Sequence, residues 1–168
     1  MKRITMTLVA AFLFIAAFAQ NDKMHKHNGE KSEVKIIKVG EWTISYSYPG
    51  ETAEQTIGKY AVAKIEYASG RTEDVTEKIT VAGEDDWEKV VIIEDKGAAI
   101  GLKKMDEIRG KTSGWIGVHT AGSADKKSLK KLKMAAAAMG APFILMTSDK
   151  DNQFTNQSIK KGIAYSYK

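Results

Sequence analysis

Ser123-Ala124-Asp125-Lys126 sets a hydroxyl three residues before an amine, the serine-x-x-lysine spacing in which a lysine activates a serine nucleophile at a helix start. His119 stands four residues upstream, so histidine, serine and aspartate fall within seven consecutive positions. A secreted hydrolase using Ser123, Lys126 and His119 is therefore one reading of the chain. It requires the base to reach the nucleophile and a third group to orient the base. Members this close along a chain have difficulty adopting that geometry, and no Gly-x-Ser-x-Gly elbow is present. Order also counts against a penicillin-recognising enzyme: the lysine-threonine echo at Lys111-Thr112-Ser113-Gly114 precedes the serine motif instead of following it. Ser128 to Lys131 and Ser158 to Lys161 repeat the spacing, so lysine richness alone generates it. Ser123 reads first as a helix cap.

Met24-His25-Lys26-His27 gathers a thioether and two imidazoles, donors suited to copper, nickel or zinc. Two imidazoles are too few for a closed site, so metal binding through Met24, His25 and His27 is an alternative reading. Glu84, Asp85, Asp86 and Glu88 form an acidic loop with no second carboxylate set against it, as glycoside hydrolysis would need. In Asp149-x-Asp151-x-Gln153, Phe154 replaces the glycine of a calcium loop and Lys160 stands where the bidentate glutamate belongs. Gly117 and Gly122 have phosphate-loop separation, yet Ser123 occupies the lysine position. No cofactor is expected.

The most defensible interaction surface is cationic. At 100° per residue, Leu129, Leu132, Ala136 and Met139 fall on one face of a helix, and Lys126, Lys127, Lys130, Lys131 and Lys133 on the other. Such a face suits an anionic lipid head, lipopolysaccharide or an acidic partner. A solvated stripe is the plainer reading. The helix is expected over about residues 124–139, with Asp125 in its first turn and Gly140 and Pro142 closing it.

Strands must position that helix. Trp42, Ile44, Tyr46 and Tyr48 alternate with Thr43, Ser45 and Ser47, a half-buried strand closed by Pro49-Gly50. This aromatic stripe reads as core, with sugar binding as the other use of such a face. Val34 to Val39, Tyr60 to Ala68, Val75 to Val81 and Val90 to Ile93 read as further strands. Leu102, Met105 and Ile108 are compatible with a helical turn or a strand, and the bounding Gly101 and Gly110 favour strand. Phe143 to Met146 reads as a buried strand, Ser148 to Gln157 as a polar loop, and Ile163, Tyr165 and Tyr167 as one face of a closing strand. The fold class is α+β: a small, mostly antiparallel sheet with one main amphipathic helix packed on it.

Residues 101–168 resemble the small βαββ envelope domains grouped with heavy-metal-binding proteins and with the outer-membrane stress sensor of the Rcs pathway. The resemblance rests on KSLKKLKMAAAAMGAPFILMTS and KGIAYSY: alanines at Ala135 to Ala138, a Gly140-Ala141 corner, a buried strand at Phe143 to Met146 and the Ala164-Tyr165 pair. It implies a fold and no chemistry. The stress sensor's cysteines have no counterpart here, so its disulfide architecture is not implied.

The chain opens with Lys2 and Arg3, twelve apolar residues from Leu8 to Ala19, and the small-x-small triplet Ala17-Phe18-Ala19. That pattern reads as a signal peptide over residues 1–19, and its apolar run is shorter than the roughly 20 residues that span a bilayer. The protein is thus expected to be soluble in the periplasm or medium and not integral to a membrane. Removing those residues lowers the formal charge from +5 to +3, with 24 basic and 21 acidic side chains remaining. Nucleic acid is disfavoured by export and by that small charge. There are no cysteines, hence no disulfide and no thiolate site. Residues 20–33, with Met24 as their single apolar side chain, read as a flexible leader. Residues 34–168 read as one domain, divisible into a β lobe over 34–100 and a βαββ unit over 101–168. The combined reading is an exported, non-catalytic binding module for an anionic or envelope partner.

Overall fold

The structure, a computed structural model, describes residues 21–112, 123–152 and 157–167. Its first six strands are β1 (Asp22–Lys26), β2 (Lys31–Val39), β3 (Thr43–Ser47), β4 (Gln55–Gly58), β5 (Val62–Glu66) and β6 (Thr72–Asp74). They form one antiparallel sheet in the order β4-β3-β2-β1-β5-β6. Pairing of β2 is divided along its length: residues up to Val34 face β1, and Lys35 to Val39 face β3 across a bulge between Ile36 and Lys38. The alternation of β3 is realised, with Ile44 and Tyr46 buried. Trp42 and Tyr48, the ends of the same stripe, are 40% and 38% exposed.

Residues 21–33 are not a leader. β1 is an interior strand of this sheet, paired with β2 on one side and β5 on the other. Its one apolar side chain, Met24, is wholly buried. Asp22 accepts hydrogen bonds from the backbone N–H groups of Ile36 at 2.8 Å and Ala68 at 2.9 Å, joining the strands on both sides. Order here comes from backbone pairing on two edges, which composition does not register. The sequence expectation for residues 75–81 also changes: the strand ends at Asp74 and the chain continues irregularly.

A second sheet contains β7 (Val91–Ile93), β8 (Lys103–Lys111), β9 (Phe143–Asn152) and β10 (Gln157–Ser166), in the order β7-β9-β10-β8. Only β7 and β9 run parallel. Residues 103–111 are strand, as their bounding glycines suggested. Of the expected loop over Ser148 to Gln157, the residues up to Asn152 belong to β9, and Gln157 opens β10 opposite Asn152. Between β8 and β9 lies α1 (Ser123–Ala138). Gly140, at φ 67°, ends it: Ala141 N–H donates to Ala136 O at 3.0 Å and Gly140 N–H to Ala137 O at 2.9 Å, the paired bonds of a Schellman close. The strand-helix-strand-strand run with β10 between β8 and β9 is a βαββ unit. Among the described residues no helix is long and apolar enough to cross a membrane.

The fold is α+β in three layers, set by two buried faces of β9. Phe143 and Leu145 join Met24, Val34, Ile44 and Ile65 in a core between the sheets. Ile144 joins Leu132, Ala136, Ala137 and Ala164 in a second core beneath α1. The small helix residues let α1 lie close, and at Gly110 a Cβ would collide with the Ser128 carbonyl and come within 2.8 Å of Leu132 N. Gly110→Ala is therefore expected to lower stability by about 1–3 kcal/mol in urea melts. Gly83→Ala, with nothing within 4 Å of the new methyl group, should stay within about 0.5 kcal/mol of wild type.

Candidate functional site

The outer face of α1 carries the cationic surface. Lys126, Lys127, Lys130 and Lys131 are exposed and Lys133 is half-buried. Lys127, Lys130 and Lys131 converge, with Met134 and Thr112, on a groove of about 340 Å³ between α1 and the end of β8. Two of the three are oriented by neighbours: the Lys130 ammonium lies 4.7 Å from the centre of the Trp87 ring, and Lys131 Nζ donates to Lys111 O at 3.1 Å. Lys126 and Lys133 do not line the groove. A wider depression of about 440 Å³ beside β1 mixes Lys23 with Glu33 and Glu66, so it has no single charge sign.

Beneath the same helix runs a polar seam. Lys160, 4% exposed, places Nζ 2.6 Å from both Asp125 Oδ1 and Asp149 Oδ2. Burial pushes its ammonium pKa down, but the bonds to Asp125 and Asp149 outweigh this and hold it above the usual lysine value. Ser128 Oγ donates to Asp125 O at 2.8 Å and lies 2.8 Å from Ser158 Oγ, so the Ser158 hydroxyl donates to Ser128. Ser158 N–H in turn donates to Thr112 Oγ1 at 3.1 Å. Both serine protons are committed, and the nearby lysine is charged, so this seam holds α1 on the sheet and offers no activated nucleophile. Lys160→Ala should cost about 2–4 kcal/mol by denaturant unfolding, through lost packing and a broken ion pair. Lys160→Met, which preserves volume, should cost about 1 kcal/mol, because Asp125 and Asp149 are 38% and 56% exposed and can rehydrate.

The structure separates the proposed metal donors. Met24 enters the core between the sheets, while His25 on the opposite face of β1 lies 3.1 Å from Glu66 Oε1. His27 Nε2 meets Thr76 Oγ1 at 2.9 Å, and its ring stands 4.9 Å from that of Tyr167. Among the described residues no three histidine, cysteine or acidic side chains are placed to hold a metal. Thr76 Oγ1 has one proton, used on Val62 O at 2.8 Å or Lys59 O at 3.2 Å, so it accepts from His27 and fixes that proton on Nε2. Burial, reinforced by the charge of Lys78, depresses the His27 pKa below 6.5. The unfolded chain consequently binds a proton first as pH falls, so His27 contributes stability above about pH 6.5 that is lost below it. Thermal melts should show this loss between pH 7 and the carboxylate range, and His27→Gln should flatten that part of the profile.

His119 lies outside the described residues, and of Ser123 only the backbone, at the first position of α1, lies within them. Lys126 projects to solvent. In the acidic segment, now a 3-10 turn over Glu84–Lys89, Asp86 accepts from Ala82 N–H and pairs with Lys89 at 2.6 Å. Asp149 is engaged by Lys160, not by a calcium loop. Lys160 escaped the sequence reading, although Ser158, Lys160, Gly162 and Ala164 alternate as one buried face of β10. The chain matches no protein-family model, no curated protein and no solved structure.

Proposed function

We propose that this protein is a non-catalytic binding module of the cell exterior that takes an anionic group in the groove of Lys127, Lys130 and Lys131. The observation behind it is that Lys127, Lys130 and Lys131 line one concave surface together with Met134 and Thr112, and that Trp87 supports the Lys130 ammonium. A solvated lysine stripe has no need of concavity or of an aromatic support. Among the described residues, no acidic side chain pairs with Lys127, Lys130 or Lys131, so their charge remains available to a ligand. The groove also sits on a helix held by the Lys160 seam, so little ordering is required on binding.

An envelope anion fits the export reading of residues 1–19. An apolar side chain, Met134, among cationic ones suits a phosphate-bearing lipid head. Co-sedimentation with vesicles of phosphatidylglycerol in phosphatidylcholine should show binding that weakens with salt. Replacing Lys127, Lys130 and Lys131 together by Gln should reduce it at least about tenfold, on roughly 1 kcal/mol per lysine near an anionic surface. Lys103→Gln with Lys104→Gln, on β8 away from the groove, should leave it near wild type. Equal loss in both variants would replace the groove by a diffuse charge effect, and no binding to any vesicle would remove the lipid head as the ligand.

A further inference from the structure

Among the described residues, the outer edge of β8 is the longest strand edge of the second sheet without a paired strand, and its backbone groups can be assigned a direction. Thr112 N–H donates inward to Ser158 O at 3.1 Å. Antiparallel alternation then turns Gly110 and Ile108, opposite Lys160 and Gly162, towards β10. Lys111, Arg109 and Glu107 accordingly turn their N–H and C=O groups outward. Two of these three positions are occupied by the protein's own side chains. Glu107 N–H donates to Asp106 Oδ1 at 2.7 Å, and Lys111 O accepts from Lys131 Nζ at 3.1 Å. Beyond Glu107 the ladder shifts, with Met105 and Asp106 opposite Ala164 alone, so the regular edge ends there.

An open strand edge is a template for another strand, and proteins close such edges with charges and bulges. We propose that the outer edge of β8 is a latent self-pairing surface, held shut by the Asp106 carboxylate at one end and the Lys131 ammonium at the other. The occupant it fits is β8 of a second copy. A two-fold axis between antiparallel strands centres the pairing on a residue and its own equivalent. Centring on Ile108 places Glu107 opposite Arg109 of the second copy, twice, and makes the outward-facing residues the closely hydrogen-bonded pairs. Centring on Glu107 or Arg109 would oppose like charges, which destabilises cross-strand pairs.

Light scattering of the purified protein at rising concentration tests this. The wild type should keep the mass of a single copy. Asp106→Ala with Lys131→Ala should approach twice that mass at the highest concentrations. Adding Arg109→Glu should abolish the doubling, and adding Glu107→Arg to that variant should restore it. A wild-type dimer, an open-edge variant that stays single with an unchanged circular dichroism spectrum, or a doubling indifferent to Arg109→Glu would each overturn the proposal. Amide hydrogen exchange in the wild type provides a reading independent of any substitution. The Glu107 N–H should exchange more slowly than the neighbouring outward N–H of Arg109, and equal rates would contradict the closure.

Discussion

Burial of β9 on both faces is the constraint on which the architecture depends. Phe143 and Leu145 serve the core between the sheets, and Ile144, one position along, serves the core beneath α1. Because strand side chains alternate, a one-residue slip of β9 would exchange these roles and place each side chain against the wrong layer. The partner strand β10 obeys the same division: Ala164 faces the helix, and Tyr165 and Tyr167 pack towards the six-stranded sheet. The aromatic chain from Tyr60 through Phe143 to Tyr167 and His27 then ties the two sheets together.

Seating α1 follows from that register. The helix-facing positions of β10 run Ser158, Lys160, Gly162 and Ala164, changing from polar near the start of the strand to small near its end. The N-terminal half of α1 is accordingly held by hydroxyls and an ion pair, and its C-terminal half by alanines in close contact. This asymmetry fixes the helix in rotation, which leaves Lys127, Lys130 and Lys131 facing outward over the end of β8. The charge of the surface is written in α1, but its shape is the consequence of what lies underneath.

Much of this was legible in the sequence wherever periodicity and end signals agreed. The helix, its Gly140 close, the alternation of β3 and the βαββ order each had a local pattern of that kind. What escaped was non-local. Residues 21–33 contain one apolar side chain, and they are ordered because β1 is paired on both sides and Asp22 bridges to Ile36 and Ala68. The length of β9 was hidden because its second half, opposite β10, is polar. Lys160 sits beside Lys161 and reads as surface, yet its counter-ions come from Asp125 and Asp149, which are distant in sequence. For the candidate site, the lysine periodicity identified the face, while Trp87, Thr112 and Met134 could be attached to it only by tertiary packing.

Under the proposed function, a phosphate-bearing anion binds at one defined place on α1. Amide chemical-shift mapping with a soluble short-chain phosphatidylglycerol, below its micelle concentration, tests it most directly. Saturable shifts are expected, concentrated at Thr112, Lys127, Lys130, Lys131 and Met134, with the six-stranded sheet unaffected. Shifts spread over all exposed lysines without saturation, or centred on a different surface, would contradict it.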